Sequence, residues 1–228
     1  MKMSMDFSDL YDYVERQMVF FFPDQRGNTN TNLGKSALEL ALKRTEECFK
    51  HILLNGYSEN GVAVFNHLHS DQYSQFLYLY ANSLWKLGAE HFICDKLLYL
   101  NRILHGLFVS YKCSLPEHFV FGHPVGTVIG NAAYSDFLVI FQNVTINTAG
   151  TSDNELPKLG KGLFLGAGSK IIGSKTIGDR VSVGVNAHIH NLEVPDDAVV
   201  ISRDGKTEIC TRKKEKCFAQ NYFDIEIE

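Results

Sequence analysis

Six aliphatic residues, Leu159, Leu165, Ile171, Ile177, Val183 and Ile189, recur every sixth position without a slip. Four of them are followed directly by glycine, at Gly160, Gly166, Gly178 and Gly184, and small residues recur at the fifth place of several units (Ser169, Val181, Ala187). A fixed short period is the strongest constraint a sequence can carry on its fold. Period six matches neither a helical face nor the strict alternation of a half-buried strand. It matches a parallel β-helix in which each hexad forms one short flat side and sends one aliphatic side chain to the axis. The adjacent glycine is expected to allow the tight corner between sides.

The first half of the chain has a different texture. Residues 1–112 hold one proline (Pro23), few glycines, and Leu, Phe and Tyr at helical spacing. A first helix is predicted over 6–22, followed by a polar loop over 24–34. Ser36 with Glu39 reads as a capping box for a second helix. Asp71 reads as the cap of a third, and a fourth is predicted from Glu90 to Tyr111. After Pro116 the chain turns β-branched and glycine-punctuated. The polar stretch 148–158 then interrupts the period, which resumes at Leu159, so it reads as a loop extruded from one edge of the coils. The expected organisation is α+β: an all-helical domain (1–112), a β-helix domain with an extruded loop (113–201), and a charged tail or arm (202–228).

Composition narrows the function classes. The net charge of −4 gives no basic excess, so nucleic acid is not an electrostatically favoured partner. The most apolar early run, 18–22, is too short for a membrane span, and no secretory signal pattern opens the chain. Five scattered cysteines without a CxxC pair argue against a zinc framework or disulfides, and a reducing cytoplasm is expected. His188 and His190 alternate in a late hexad, but a β-helix metal site needs three histidines across two coils, and the spacing here does not provide them. No metal is expected.

The segments FGHPVGTVIG (121–130), QNVTIN (142–147) and PKLGKGLFLGAGSKIIG (157–173) resemble the hexapeptide-repeat acyltransferases, and within them the serine acetyltransferases. The likeness runs over roughly residues 70–200. It implies a left-handed β-helix and acetyl transfer from acetyl-CoA to a hydroxyl. It also implies a homotrimer with active sites between subunits, and trimers able to pair into hexamers. His123 matches the family's general base, the residue that takes the proton of the attacking hydroxyl. Thr148, Ala149, Gly150 and Lys158, with Gly166, Ala167, Gly184 and Val185, match positions that accommodate the CoA arm.

The departures fall on the acceptor side. The family's Asp-His pair is Gly122–His123 here, its Arg-His before the PKI hexad is Glu155–Leu156, and the aspartate that orients the imidazole has no counterpart. The family's amino-acid-binding acid falls near His67. Glu155, His67 and Asp153 are therefore the acceptor candidates, and Glu117 a weaker candidate for orienting His123. An altered acceptor site predicts a sugar hydroxyl, in a surface polysaccharide or its precursor, as acceptor. A divergent serine acetyltransferase is the alternative, and a non-catalytic trimeric scaffold the second alternative. The basic run 211–216 reads first as a solvated face and second as a contact for the CoA 3′-phosphate.

Overall fold

The computed structural model describes residues 1–24, 26–27, 29–147 and 156–228. The hexads form coils with three sides. One side stacks the strands Phe119–Gly122, Leu138–Phe141, Phe164–Leu165, Ser182–Val183 and Ala198–Arg203, all parallel. The second stacks Phe108–Val109, Val128–Ile129, Thr145–Asn147, Lys170–Ile172 and His188–His190. The third pairs Ala133–Tyr134 with Lys158–Leu159 and continues through single bridges at Ile177 and Val194.

All six periodic aliphatics point inward and are at most 2% exposed. Leu159 sits on Ile177, Leu165 on Val183 and Ile171 on Ile189, each one full coil apart. Burying a Leu or Ile in this way stabilises by roughly 1.5–3 kcal/mol per side chain.

The glycines beside them serve a different purpose from the one the sequence suggests. A Cβ on Gly160 would stand 2.3 Å from the carbonyl oxygen of Gly178, and one on Gly178 would stand 2.5 Å from the backbone nitrogen of Asp196. They are glycine because the next coil's backbone lies against them. The positive φ of the corners falls two residues later, on Gly162, Gly168, Arg180 and Asn186.

Four helices precede the coils: α1 (Phe7–Phe21), α2 (Asn32–Phe49), α3 (Ser70–Lys86) and α4 (His91–His105). This part is not all-helical. Val62–Phe65 pairs with both Lys2–Met3 and Ser58–Glu59 in a small sheet. Two caps also differ from expectation. Thr31, not Ser36, caps α2 by accepting from the Gly34 N–H, and His69, not Asp71, caps α3. α4 stops at Gly106 in a left-handed conformation, so the first coil begins at Phe108, well before Pro116.

α3 is the keel between helices and coils. Its polar residues Gln75 and Asn82 and its Tyr78 are buried yet bonded to coil carbonyls. Gln75 Nε2 donates to Phe119 O (2.9 Å), Tyr78 Oη to Cys113 O (2.7 Å) and Asn82 Nδ2 to Tyr111 O (2.7 Å). Buried donors satisfied in this way fix one register of helix against coil.

The expected tail is folded. Lys206–Thr211 turns back antiparallel on Ala198–Arg203, and a short helical turn, Phe218–Tyr222, lies on the coils. Phe218 packs on Phe164 with ring centres 4.4 Å apart, and Phe223 on Phe137 at 5.3 Å. Within the basic run, Arg212 is engaged too: it shares the Asp197 carboxylate with Arg180.

Candidate active site

His123 stands at the corner that follows strand Phe119–Gly122, and its side chain is 78% exposed. Its φ of 48° is left-handed, a conformation that several corners of this coil stack share. Its partner is Asp71, in the first turn of α3. One carboxylate oxygen of Asp71 accepts the His123 backbone N–H at 3.0 Å and lies 3.0 Å from Nδ1. The aspartate is buried, and the N-terminal end of α3 favours its negative charge. A carboxylate this close to Nδ1 favours the tautomer with its proton on that nitrogen, which leaves the Nε2 lone pair available. Such an imidazole can accept a proton from a hydroxyl bound beside it.

His69 makes this arrangement possible. Because its Nδ1 accepts the Gln72 N–H and caps the helix, the Asp71 carboxylate is free to reach across to the coil. His105, at the end of α4, is a second ring near Asp71. Burial pushes its pKa down to about 4, against Asn101 and the charge of Asp71, so it is neutral near pH 7. Asn101 Nδ2 donates to Ser74 O, so its Oδ1 accepts from His105 Nδ1 (2.8 Å). With His105 neutral, His123 is the ring that pairs with Asp71.

Gly122 has a steric cause. A Cβ there would stand 3.0–3.1 Å from three ring carbons of Phe141, one coil on. An Asp at this position would need the Phe141 ring to give by a few tenths of an ångström; the carboxylate beside the imidazole comes from α3. Glu117 lies at the other end of the same strand, before His118, and does not orient His123.

The coil register carries His123 toward the small residues singled out in the sequence. Gly122 pairs with Phe141, and Leu165 pairs with Ile140 and Val183. The residue pairs Gly122–His123, Phe141–Gln142, Gly166–Ala167 and Gly184–Val185 therefore follow the same side of successive coils and stack along one edge. Val185 is exposed and Ala167 half-buried, while Gly166 is closed in by the backbone of the coil beyond it. Gln142, next below His123, has a buried Oε1 without a hydrogen-bond partner among the described residues.

Other candidates stand apart or out of reach. Lys158 is on the third side, exposed and paired with Ala133. His67 is held by Ser4, whose hydroxyl is 2.8 Å from its Nδ1, and by an edge-on contact with Tyr13; among the described residues it has no hydrogen bond to His123 or Asp71. Thr148, Ala149, Gly150, Asp153 and Glu155 lie outside the described residues. His188 and His190 face outward on either side of Ile189. Sequence reasoning missed Asp71, His105 and Gln142. Asp71 stands at the start of a helix and so resembles a cap, and its contact with His123 spans 52 residues.

No family model matches the chain. It is 31% identical over 112 residues to a serine acetyltransferase of Synechococcus elongatus, covering 48% of this chain and 46% of that protein. It is 30% identical over 128 residues to one from Mycobacterium tuberculosis, covering 55% of each. The chain thus spans about half the length of these curated relatives. Among solved structures it is similar to serine acetyltransferase from Vibrio cholerae, with a TM-score of 0.66 and 19% identity over 82% of this chain and 73% of that one. The Neisseria gonorrhoeae enzyme gives a TM-score of 0.63 and 18% identity over 85% and 75%. At such identities the structural likeness carries the fold, a helical region followed by a left-handed β-helix. The sequence matches place the likeness to serine acetyltransferases over about half of this chain.

Proposed function

We propose that this protein is an acetyl-CoA-dependent O-acetyltransferase in which His123 removes the proton of an acceptor hydroxyl. The observation that carries the reading is the Asp71–His123 pair at the head of an edge lined by Gly166, Ala167, Gly184 and Val185. Asp71 fixes the tautomer, Nε2 takes the hydroxyl proton as oxygen attacks the thioester, and CoA leaves as the thiol. The pantetheine arm lies along the small-residue edge.

L-serine is the first acceptor to test, because the named relatives are serine acetyltransferases. The expectation of a surface polysaccharide draws no support from these relatives. A second reading, a different small hydroxyl compound, is favoured by one observation: position 122, next to His123, carries no acid, and Phe141 crowds the place where one would stand. CoA release measured with L-serine, related amino alcohols and a sugar panel separates the two. Turnover with serine and not sugars supports the first, and turnover only with sugars returns the acceptor to carbohydrate. No turnover and no CoA binding would leave a scaffold role.

The exposure of His123 on one chain suits a site completed by a second copy. We therefore expect a homotrimer, and a single-chain mass in sedimentation at assay concentration would contradict it.

A further inference from the structure

We propose that Glu47, His51 and His118 form a divalent-metal site, suited to Zn²⁺, that fastens the helical region, the coils and the C-terminal segment to one another. Glu47 is in the last turn of α2 and His51 lies two residues beyond its end, with Nε2 3.9 Å from the Glu47 carboxylate. His118 faces them from the residue before strand Phe119–Gly122. One ligand atom from each of the three lies within 4.8 Å of the others, the only such cluster among the described residues.

Each imidazole is already oriented by a carboxylate. Asp136 Oδ2 is 2.7 Å from His118 Nδ1, and Asp224 Oδ1 is 2.9 Å from His51 Nδ1. This is the outer arrangement of metal-bound histidines: a carboxylate at one ring nitrogen fixes the tautomer and leaves the other nitrogen as ligand. The second observation is independent of that geometry. His118 is only 8% exposed, and its Nε2 is buried without a hydrogen-bond partner. A buried ring nitrogen of this kind calls for a partner, and the nearest groups able to share one are His51 and Glu47.

Two imidazoles and one carboxylate make a familiar zinc donor set with one position left for water. Glu47 also pairs with Lys50 Nζ at 2.6 Å, so the metal would compete with that ammonium or take the second carboxylate oxygen. Glu47 and His51 are partly exposed, which gives the ion a way in. His118 and His123 sit at opposite ends of one strand, about 16 Å apart at ~3.3 Å per residue. The ion would therefore hold structure and take no part in transfer. The same region already joins the segments it would tie: Asp224 N–H donates to His51 O (3.1 Å), and Leu53 N–H to Tyr222 O (2.9 Å).

The test is titration of the chelator-treated full chain with ZnCl₂ by calorimetry, with metal content read after gel filtration and thermal melting followed alongside. One retained equivalent per chain and a raised melting temperature are expected. His51→Gln and Glu47→Gln, both at partly exposed positions, should abolish the retained equivalent and the thermal shift while leaving the apo melting temperature near that of the parent. Asp224→Asn should weaken affinity by roughly 10–100-fold. His118→Gln should behave like His51→Gln if it folds. The proposal is overturned if no zinc is retained, or if His51→Gln and Glu47→Gln bind it as the parent does, which would mark adventitious surface binding.

Discussion

At the scale of single residues, the candidate chemistry depends on a carboxylate that comes from a different element than the sequence suggests. His123 was legible because it sits in FGHPVG, a glycine- and proline-flanked corner carrying a family likeness. Asp71 was not, because a residue at the start of a helix reads as a cap, and only the fold reveals that His69 has taken that role. Asp71→Asn keeps the shape but weakens the hold on the imidazole tautomer. It is expected to lower kcat for acetyl transfer by about 10–100-fold, with KM for acetyl-CoA little changed, read by steady-state kinetics. His105 gives a pH prediction with a definite sign. Its folded pKa of about 4 lies below the ordinary histidine value, so below pH ~6.5 the unfolded chain binds a proton that the folded chain refuses. Its contribution is therefore fully present above pH ~6.5 and is lost progressively toward pH ~4, by up to about 3 kcal/mol. Denaturant unfolding at pH 7 and pH 5 should show a smaller loss for His105→Gln than for the parent; equal losses would contradict the assignment.

At the scale of elements, the hexad register was read correctly down to which side chains enter the axis, because inward pointing at every sixth position leaves an unambiguous periodic trace. The role of the glycines was misread. A sequence shows that glycine recurs but not whether φ or crowding demands it, and here crowding does at Gly160 and Gly178. Gly160→Ala is therefore expected to destabilise by roughly 1–3 kcal/mol. At about 2–4 °C per kcal/mol for a chain of this size, calorimetry should resolve the drop in melting temperature. An unchanged melting temperature would mean that neighbouring coils are looser than their spacing indicates. The helices were placed within a few residues at most ends, but α2 stops at Phe49 rather than near Gly56, and α4 at His105 rather than Tyr111. There Gly106 turns the chain and its next residues pair with Val128–Ile129, a tertiary choice that local propensity does not encode.

At the scale of the whole molecule, the sequence undersold the C-terminal segment, whose charges at 211–216 suggested a free arm. Its aromatics lie beyond that run, and Phe218, Tyr222 and Phe223 cover the coil face around Phe137, Phe141 and Phe164. The segment also brings Asp224 to His51, so three distant parts of the chain meet on one flank while His123 occupies the other end of the shared strand. No helix among the described residues is long and apolar enough to cross a membrane. The fold and the choice of His123 as candidate base were thus open to sequence reasoning, whereas the Asp71–His123 contact and the cluster of Glu47, His51 and His118 depend on contacts between residues far apart in the chain. The most direct test of the central claim is the rate of CoA release from acetyl-CoA with the best acceptor, compared between the parent and a folded His123→Ala protein. A loss of about 10²–10⁴-fold with acetyl-CoA binding retained is the expected result; a rate near that of the parent would show that the proton leaves by another residue.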